Sequence, residues 1–245
     1  IGQFEINLKH TFDTMAAADH VIFFKRIVKG VAKKHSLKAS FMPKPFLESA
    51  GSGMHIHMSI VNDLKENIFD SRTEAGLISL KNAVGGLINA LKESMLIFAP
   101  HLNSYRRLKP GSHAPTSICW GYENRTASIR IPGGASENSR IEHRVAGADA
   151  NPYLVAAAVL ASVLNGIEKE IIAPDPIEGD SYAKGLDQIT SDWRTAIGIF
   201  KSGELNKDFY SSTFLEVFSN LKLQELNTFE DRMENFEVRT YLDAF

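Results

Sequence analysis

Four short segments with alternating apolar and polar residues constrain the fold of this chain most strongly. They cover residues 3–10, 54–60, 126–131 and 140–145. Successive side chains of a β-strand point to opposite faces of a sheet, so each segment predicts a strand with one buried face. Some of these strands are separated by hairpin-scale spacing, and helical patterns gather late in the chain. The sequence therefore predicts an α+β fold with an antiparallel sheet, rather than a doubly wound fold.

Helical periodicity appears first between the predicted strands. Asp13 is placed to cap a helix that runs to His35. A second long helix is predicted over residues 73–98, although Gly85 and Gly86 weaken its middle, because glycine is a poor helix former.

The later part of the chain is mostly helical by pattern. Asn151 followed by Pro152 has the cap-then-proline order of a helix start. The predicted helix, residues 152–171, is apolar on nearly all sides, which indicates a central position in the core. A short strand is predicted over residues 37–42. Amphipathic helices are predicted from Ser191 onward. The chain then ends in a tail that contains Phe236, Leu242 and Phe245.

Composition limits the classes of function. A chain of 245 residues with 44% hydrophobic residues can bury one large core, so one domain over residues 1–245 is expected. The net charge of −2 argues against a nucleic-acid partner, and no apolar run is long enough to span a membrane. Cys119 is the only cysteine, which favours a reducing, cytoplasmic location. The chain opens at Ile1 without an initiator methionine, which suggests a piece of a longer protein.

The polar faces of the predicted strands carry an unusual set of side chains. They present Glu5, His55, His57, Arg130, Arg140, Glu142 and Arg144. Carboxylate and imidazole groups together suit a divalent metal ion. Guanidinium groups grip phosphate or carboxylate in a bidentate manner. The combination predicts phosphoryl transfer, in which positioning and charge neutralisation supply most of the catalysis.

Each of these features also has an ordinary structural explanation. A single histidine on a strand is commonly a hydrogen-bonded surface residue, and the alternation of Arg140, Glu142 and Arg144 could form an inert ladder of ion pairs. No single motif decides between the two interpretations. Their coincidence on several strands favours a functional site, provided that those strands share one sheet.

Seven ordered motifs resemble those of the glutamine synthetase family. They are GQFE (residues 2–5), FMPKP (41–45), GSGMHIHMS (51–59), NSYRRLKPG (103–111), NRTASIRIP (124–132), RIE (140–142) and ANPYL (150–154). The resemblance implies the C-terminal part of a bacterial type I-like catalytic domain, with the N-terminal β domain and the start of the catalytic domain upstream. It also implies a curved antiparallel sheet backed by helices, as in the guanidino kinases.

The resemblance further implies an activity and its partners. Glutamate would be activated by ATP as γ-glutamyl phosphate and passed to ammonia or an amine, with Mg²⁺ or Mn²⁺ as the metal. The partners would be small molecules and copies of the same chain, in a ring that is commonly a dodecamer.

Site roles follow from the resemblance position by position. The metal ligands would be Glu5, His55 and Glu142. Glutamate would be bound by Gly51, Arg107 and Arg144. The nucleotide would be bound by His57, Ser59, Arg125, Arg130 and Arg140. The catalytic residues would be Arg125, Arg144 and His113.

One departure leaves the acceptor open. His113 stands where the family's flap carries a glutamate that helps to bind ammonium, and an imidazole attracts that cation less well. The change favours a larger amine, as in the γ-glutamylpolyamine and γ-glutamylputrescine synthetases, whose branch WGY (120–122) and RIEHRVAGAD (140–149) also resemble. Two other hypotheses are a catalytically silent assembly module and a guanidino-kinase-like phosphotransferase.

Overall fold

Four short strands form the sheet that carries the predicted polar faces. The computed structural model describes residues 2–133, 136–232 and 242. The strands are β1 (Ile56–Met58), β2 (Trp120–Tyr122), β3 (Ile129–Ile131) and β4 (Ile141–His143), in the order β1-β4-β3-β2. β4 pairs antiparallel with β1 and β3, whereas β2 runs parallel to β3. The α+β class is confirmed, with the correction that the sheet is mixed.

Two predicted strands do not form. Residues 3–10 and 37–42 have no regular secondary structure, and residues 3–10 are exposed throughout. A strand needs a neighbour for its backbone hydrogen bonds, and within the described residues neither segment has one. Alternation alone was therefore an insufficient signal. Instead, the Gln3 side chain donates a hydrogen bond to the Gly51 carbonyl, at 2.9 Å.

The first and fifth helices begin directly after the predicted capping residues, Asp13 and Asn151. The helices are α1 (Thr14–Lys34), α2 (Glu74–Ala90), α3 (Met95–Phe98), α4 (Leu102–Arg107), α5 (Pro152–Glu168), α6 (Trp193–Ser202), α7 (Glu204–Phe209) and α8 (Ser212–Glu230), with a 3-10 turn at Ser181–Ala183. The Asp13 carboxylate caps α1 by accepting from the Met15 and Ala16 amides, at 2.8 and 3.1 Å. Phe236 and Phe245 lie outside the described residues.

The helix predicted over residues 73–98 is interrupted at residues 91–94 and not at its glycine pair. Gly85 and Gly86 lie buried inside α2, where α2 packs on α5. A methyl group on Gly86 would stand 2.7 Å from the Cα of Gly166 in α5 and closer still to the Ser162 carbonyl oxygen. The glycines therefore permit close helix packing, and they do not break the helix.

The core lies beneath one face of the sheet. Met54, Ile56 and Met58 pack against it, while the intervening His55 and His57 point to the opposite face. α5 is central, as predicted, with Val155, Ala158 and Val163 fully buried. Within the part of the chain that the structure describes, no helix combines the length and apolar character that a membrane crossing requires.

Candidate active site

Glu142 is the centre of the polar face. It occupies the middle of β4, directly opposite His57 on β1 and Arg130 on β3. Side chains at paired positions point to the same face, so the three form a row across the sheet. The Glu142 side chain is only 3% exposed, although it carries a charge.

Four basic side chains surround the Glu142 carboxylate. Arg130 Nη1 lies 2.7 Å from Oε2, and Arg144 Nη1 lies 2.6 Å from Oε1. His55 Nδ1 and His57 Nε2 lie 3.2 and 4.0 Å from Oε1. Burial raises the pKa of Glu142, but the His55 hydrogen bond and the two guanidiniums outweigh it and hold the pKa well below its ordinary value. The carboxylate is therefore ionised at neutral pH.

The pair of His55 and Glu142 fits half of a metal site. Mg²⁺ is commonly held by one or two carboxylates, with water and substrate phosphates completing its shell, and an imidazole extends the fit to Mn²⁺. The predicted ligand Glu5 is exposed and makes no hydrogen bond or ion pair within the described residues. No cluster of three or more His, Cys, Asp or Glu ligands occurs in this part of the chain.

Arg107 lies beneath the glycine turn that precedes β1. A methyl group on Gly51 would stand 2.9 Å from Arg107 Cγ, and one on Gly53 would stand 2.6 Å from Nη2. The guanidinium donates to the carbonyls of Val145, at 2.7 Å, and Arg144, at 3.2 Å. Burial lowers its pKa to about 10, so it stays protonated at neutral pH. The structure thus places Arg107 against the glycine turn and against the backbone carbonyl of Arg144, and the assignment of these residues to a glutamate site stays a prediction.

The remaining predicted residues lie around this centre. Arg140 Nε lies 3.4 Å from His57 Nδ1, and the exposed Arg125 offers its carbonyl to Arg144 Nη2, at 2.9 Å. Ser59 is exposed two residues beyond His57, on the same face. His113 is exposed in the loop after α4, with a φ of 60°, a left-handed conformation that histidine tolerates better than most residues.

Two acidic residues that accept hydrogen bonds in or near the site were not predicted from the sequence. Glu123 accepts hydrogen bonds from Arg130 and from the Gly133 amide. Asp149 accepts from Ser104, at 2.6 Å, and pairs with His101, at 2.7 Å. Glu123 directly precedes the NRTASIRIP motif, but no strand was predicted beside it, so no pattern placed it in the site.

A cavity of about 610 Å³ lies next to the site but does not contain it. Its wall includes Lys25, Phe41, Arg106 and Asp149, and none of the predicted site residues. Pro43 and Ala148 also line the cavity, and the backbones of both are hydrogen-bonded to Ser52 in the glycine turn, so the cavity borders this turn. The candidate site itself lies on the polar face of the sheet, where Glu142 and Arg144 are buried and His55 and His57 are more exposed.

Comparison with known proteins identifies the family. Residues 1–241 match the sequence family described as the catalytic domain of glutamine synthetase. The chain belongs to this family. The structures of GmaS in an ADP complex and of apo GmaS have the same fold, with a TM-score of 0.85 for each. They are 32% and 33% identical to the chain, cover 94% of it, and are themselves covered to 55% and 54%.

Curated relatives in the glutamine synthetase family include three named activities. The gamma-glutamylputrescine synthetase PuuA of Escherichia coli is 40% identical over 98% of the chain and 51% of its own length. The glutamate–isopropylamine ligase of a Pseudomonas species is 36% identical over 99% and 54%. The glutamine synthetase of Clostridium saccharobutylicum is 33% identical over 100% and 57%. The chain therefore spans about half the length of the curated relatives it matches.

Proposed function

We propose that this chain is the catalytic part of an ATP-dependent ligase that joins the side-chain carboxyl of glutamate to an amine. The observation that carries the proposal is the convergence of His55, Arg130 and Arg144 on the buried Glu142, in a glutamine synthetase catalytic domain. Burying a charged carboxylate is costly unless nearby basic groups pair with it, as these three do. The same kinds of group also suit phosphate and metal.

The nucleotide half of the site lies along the sheet face. Arg125, Arg130 and Arg140 would bind the phosphates of ATP, while His57 and Ser59 lie towards the base and ribose. His55 and Glu142 would hold Mg²⁺ or Mn²⁺. When bound, that ion neutralises phosphate charge, which lowers the repulsion between two anionic substrates.

The glutamate half lies at the glycine turn. Gly51 and Arg107 would hold the amino acid, with Arg144 near its reacting carboxylate. An oxygen of that carboxylate attacks the γ-phosphorus of ATP, the bond to the bridging oxygen breaks, and ADP leaves. The amine nitrogen then attacks the carbonyl carbon of γ-glutamyl phosphate, phosphate leaves, and the nitrogen loses a proton. The guanidiniums stabilise the charge that develops on the phosphoryl and acyl oxygens.

We propose a primary amine or polyamine as the acceptor, with ammonia as the second candidate. Two relatives with higher identity, at 40% and 36%, are named for putrescine and isopropylamine, whereas the glutamine synthetase is 33% identical. His113 supports the same choice, because its exposed imidazole lacks the fixed negative charge that attracts ammonium. An imidazole can still accept a proton from an attacking amine near neutral pH.

We further propose that the chain is the C-terminal part of a cytoplasmic protein that forms a ring of identical subunits, a dodecamer at full length. The relatives are covered to only about half of their length, which supports a longer full-length protein, and the N-terminal β domain is carried over from the family resemblance. The exposed side of α1 supports assembly, because Met15, Phe23, Ile27 and Val31 are each at least half exposed. A row of apolar side chains on one helix face is typical of an interaction surface.

The full-length protein tests the function directly. It would be incubated with glutamate, ATP and Mg²⁺ or Mn²⁺, with putrescine, spermidine, ethylamine or ammonium as the acceptor. Phosphate release and the mass of the γ-glutamyl product would be measured. We expect acceptor-dependent phosphate release with an alkylamine product. Phosphate release without any acceptor dependence would contradict the ligase. Absence of turnover would support the silent assembly module, and phosphoryl transfer to a guanidino compound would support the kinase.

A variant pair tests the choice of acceptor. His113→Glu restores the carboxylate that the family's flap carries, so we expect the kcat/KM ratio of ammonium over putrescine to rise. Glu137→Gln, an exposed change in another loop, serves as the control and should leave this ratio unchanged. A wild-type preference for ammonium would overturn the amine proposal while leaving the ligase intact.

A further inference from the structure

We propose that Glu123 is a positioning residue for nucleotide binding, because its carboxylate fixes the Arg130 guanidinium from the side opposite Glu142. This inference rests on the proposed ligase function, in which Arg130 binds phosphate. Glu123 belongs to none of the motifs that suggested that function. It follows β2 directly, at the edge of the sheet.

Arg130 is held between two carboxylates. Its Nη1 donates to Glu142 Oε2, at 2.7 Å, and its Nη2 donates to Glu123 Oε2. Its Nε–H is buried and has no partner among the described residues. The Arg130 side chain is only 14% exposed, so the orientation of its guanidinium is set by these two contacts. Neither carboxylate alone fixes the plane of the guanidinium, whereas two on different nitrogens do.

The two carboxylates differ in what else they must do. Glu142 also contacts Arg144 and His55, and the proposed function gives it a metal ion. Any cation that draws on the Glu142 oxygens weakens their hold on Arg130. Glu123 has no such competing role among the residues that the structure describes, where its other oxygen accepts the Gly133 amide alone. Glu123 therefore keeps Arg130 in place when Glu142 is engaged elsewhere.

The backbone at Glu123 supports a specific role. Its φ of 49° lies in the left-handed region, which is uncommon for a residue other than glycine. This turn lets the side chain reach Arg130 and Gly133 at once, and the Glu123 amide donates to the Ile131 carbonyl, at 3.1 Å. The Arg130 hydrogen bond, followed by the Gly133 amide, lowers the pKa of Glu123, so the group is an anion at neutral pH.

The test measures binding of ADP with Mg²⁺ to the full-length protein by calorimetry. Glu123→Gln keeps the side-chain shape but removes the charge, and we expect the Kd for ADP to rise about 3- to 30-fold, the lower figure reflecting the partial exposure of Glu123. The KM for glutamate should change less than about twofold, which a general loss of structure would not allow. Glu137→Gln, which removes a carboxylate paired with Arg72, is the matched control and should leave the Kd unchanged.

A double-mutant cycle decides whether Glu123 acts through Arg130. In an Arg130→Gln background, Glu123→Gln should add less than about twofold, because the residue to be positioned is gone. An equal effect in both backgrounds, or no effect in the wild type, would overturn the proposal. Failure of the wild type to bind ADP would instead overturn the ligase function, and this inference with it. If Glu123→Gln does not fold, Glu123→Asp is the second variant. It keeps the charge at shorter reach, so the rise in the Kd for ADP should lie below the range expected for Glu123→Gln.

Discussion

Replacement of Gly86 by alanine should destabilise the protein, although alanine is the better helix former. The added Cβ would stand 2.7 Å from Gly166 Cα and 2.8 Å from its amide nitrogen, well inside the 3.4–4 Å of ordinary contact. Both atoms belong to the α5 backbone, so no side chain can rotate away. The two helices must separate by several tenths of an ångström along a buried interface.

The magnitude follows from two opposing effects. Alanine gains about 1 kcal/mol over glycine inside a helix. Overpacking a well-packed core costs about 1–3 kcal/mol, occasionally more. Because the clash here is with backbone, we take the upper end of this cost and expect a net loss of about 2 kcal/mol in the free energy of unfolding.

Gly198→Ala is the matched control, because Gly198 lies inside α6 and has no atom within 4 Å of an added Cβ. It should raise the free energy of unfolding by about 0.5–1 kcal/mol. Thermal unfolding of the full-length protein, followed by circular dichroism, would compare the two variants. A Gly86→Ala protein as stable as the wild type, or a shift in the same direction for both variants, would refute the packing argument.

Three other changes test separate parts of the structure. Burial lowers the pKa of His143 to about 3, so below pH 6.5 the unfolded chain takes up a proton that the folded chain refuses. Without added metal, stability should therefore fall by up to about 1.4 kcal/mol per pH unit between pH 6.5 and 3, and His143→Leu should flatten this slope in denaturation at pH 6.5 and 5.5. Asn151→Ala removes the side chain that accepts from the Tyr153 and Leu154 amides at the start of α5, and should cost about 1 kcal/mol in the same assay. Arg107→Lys replaces a guanidinium that donates through two nitrogens with a single ammonium. The KM for glutamate should therefore rise by about tenfold or more in steady-state kinetics. An unchanged KM would show that Arg107 does not bind glutamate.

Alternation predicted three of the four strands, because β1, β3 and β4 each place apolar side chains on one face of the sheet, although in β4 the polar residue Glu142 is buried as well. It also predicted a strand over residues 3–10, where no described strand pairs with the backbone. β2 escaped prediction for the opposite reason. Its sequence, Trp120-Gly121-Tyr122, shows no alternation of apolar and polar residues. The strand forms because its backbone pairs with β3. Whether a segment forms a strand therefore depends also on the segment it pairs with, and the sequence of one segment alone does not reveal that partner.

The polar residues of the candidate site could be proposed from the sequence, but their convergence could not. Period two placed His55, Arg130 and Glu142 on polar faces, and the family motifs supplied their roles. The register that sets Arg130 and His57 opposite Glu142 comes only from the folded sheet. Glu123 shows the limit most clearly, since it reaches Arg130 through a left-handed turn that no sequence pattern near it indicated.

The crowding around Glu142 has a consequence for metal binding. Its two oxygens already accept from Arg130, Arg144 and His55, so an incoming ion must share an oxygen with a guanidinium or displace it. A carboxylate has about four lone-pair directions, which permits sharing but leaves no surplus. One shared carboxylate and one imidazole bind Mg²⁺ weakly, because this ion dehydrates reluctantly. Strong binding at this site therefore requires further oxygen ligands, from the phosphates of ATP or from carboxylates outside the described cluster. We accordingly expect metal and nucleotide to bind together, with the affinity for each raised by the other.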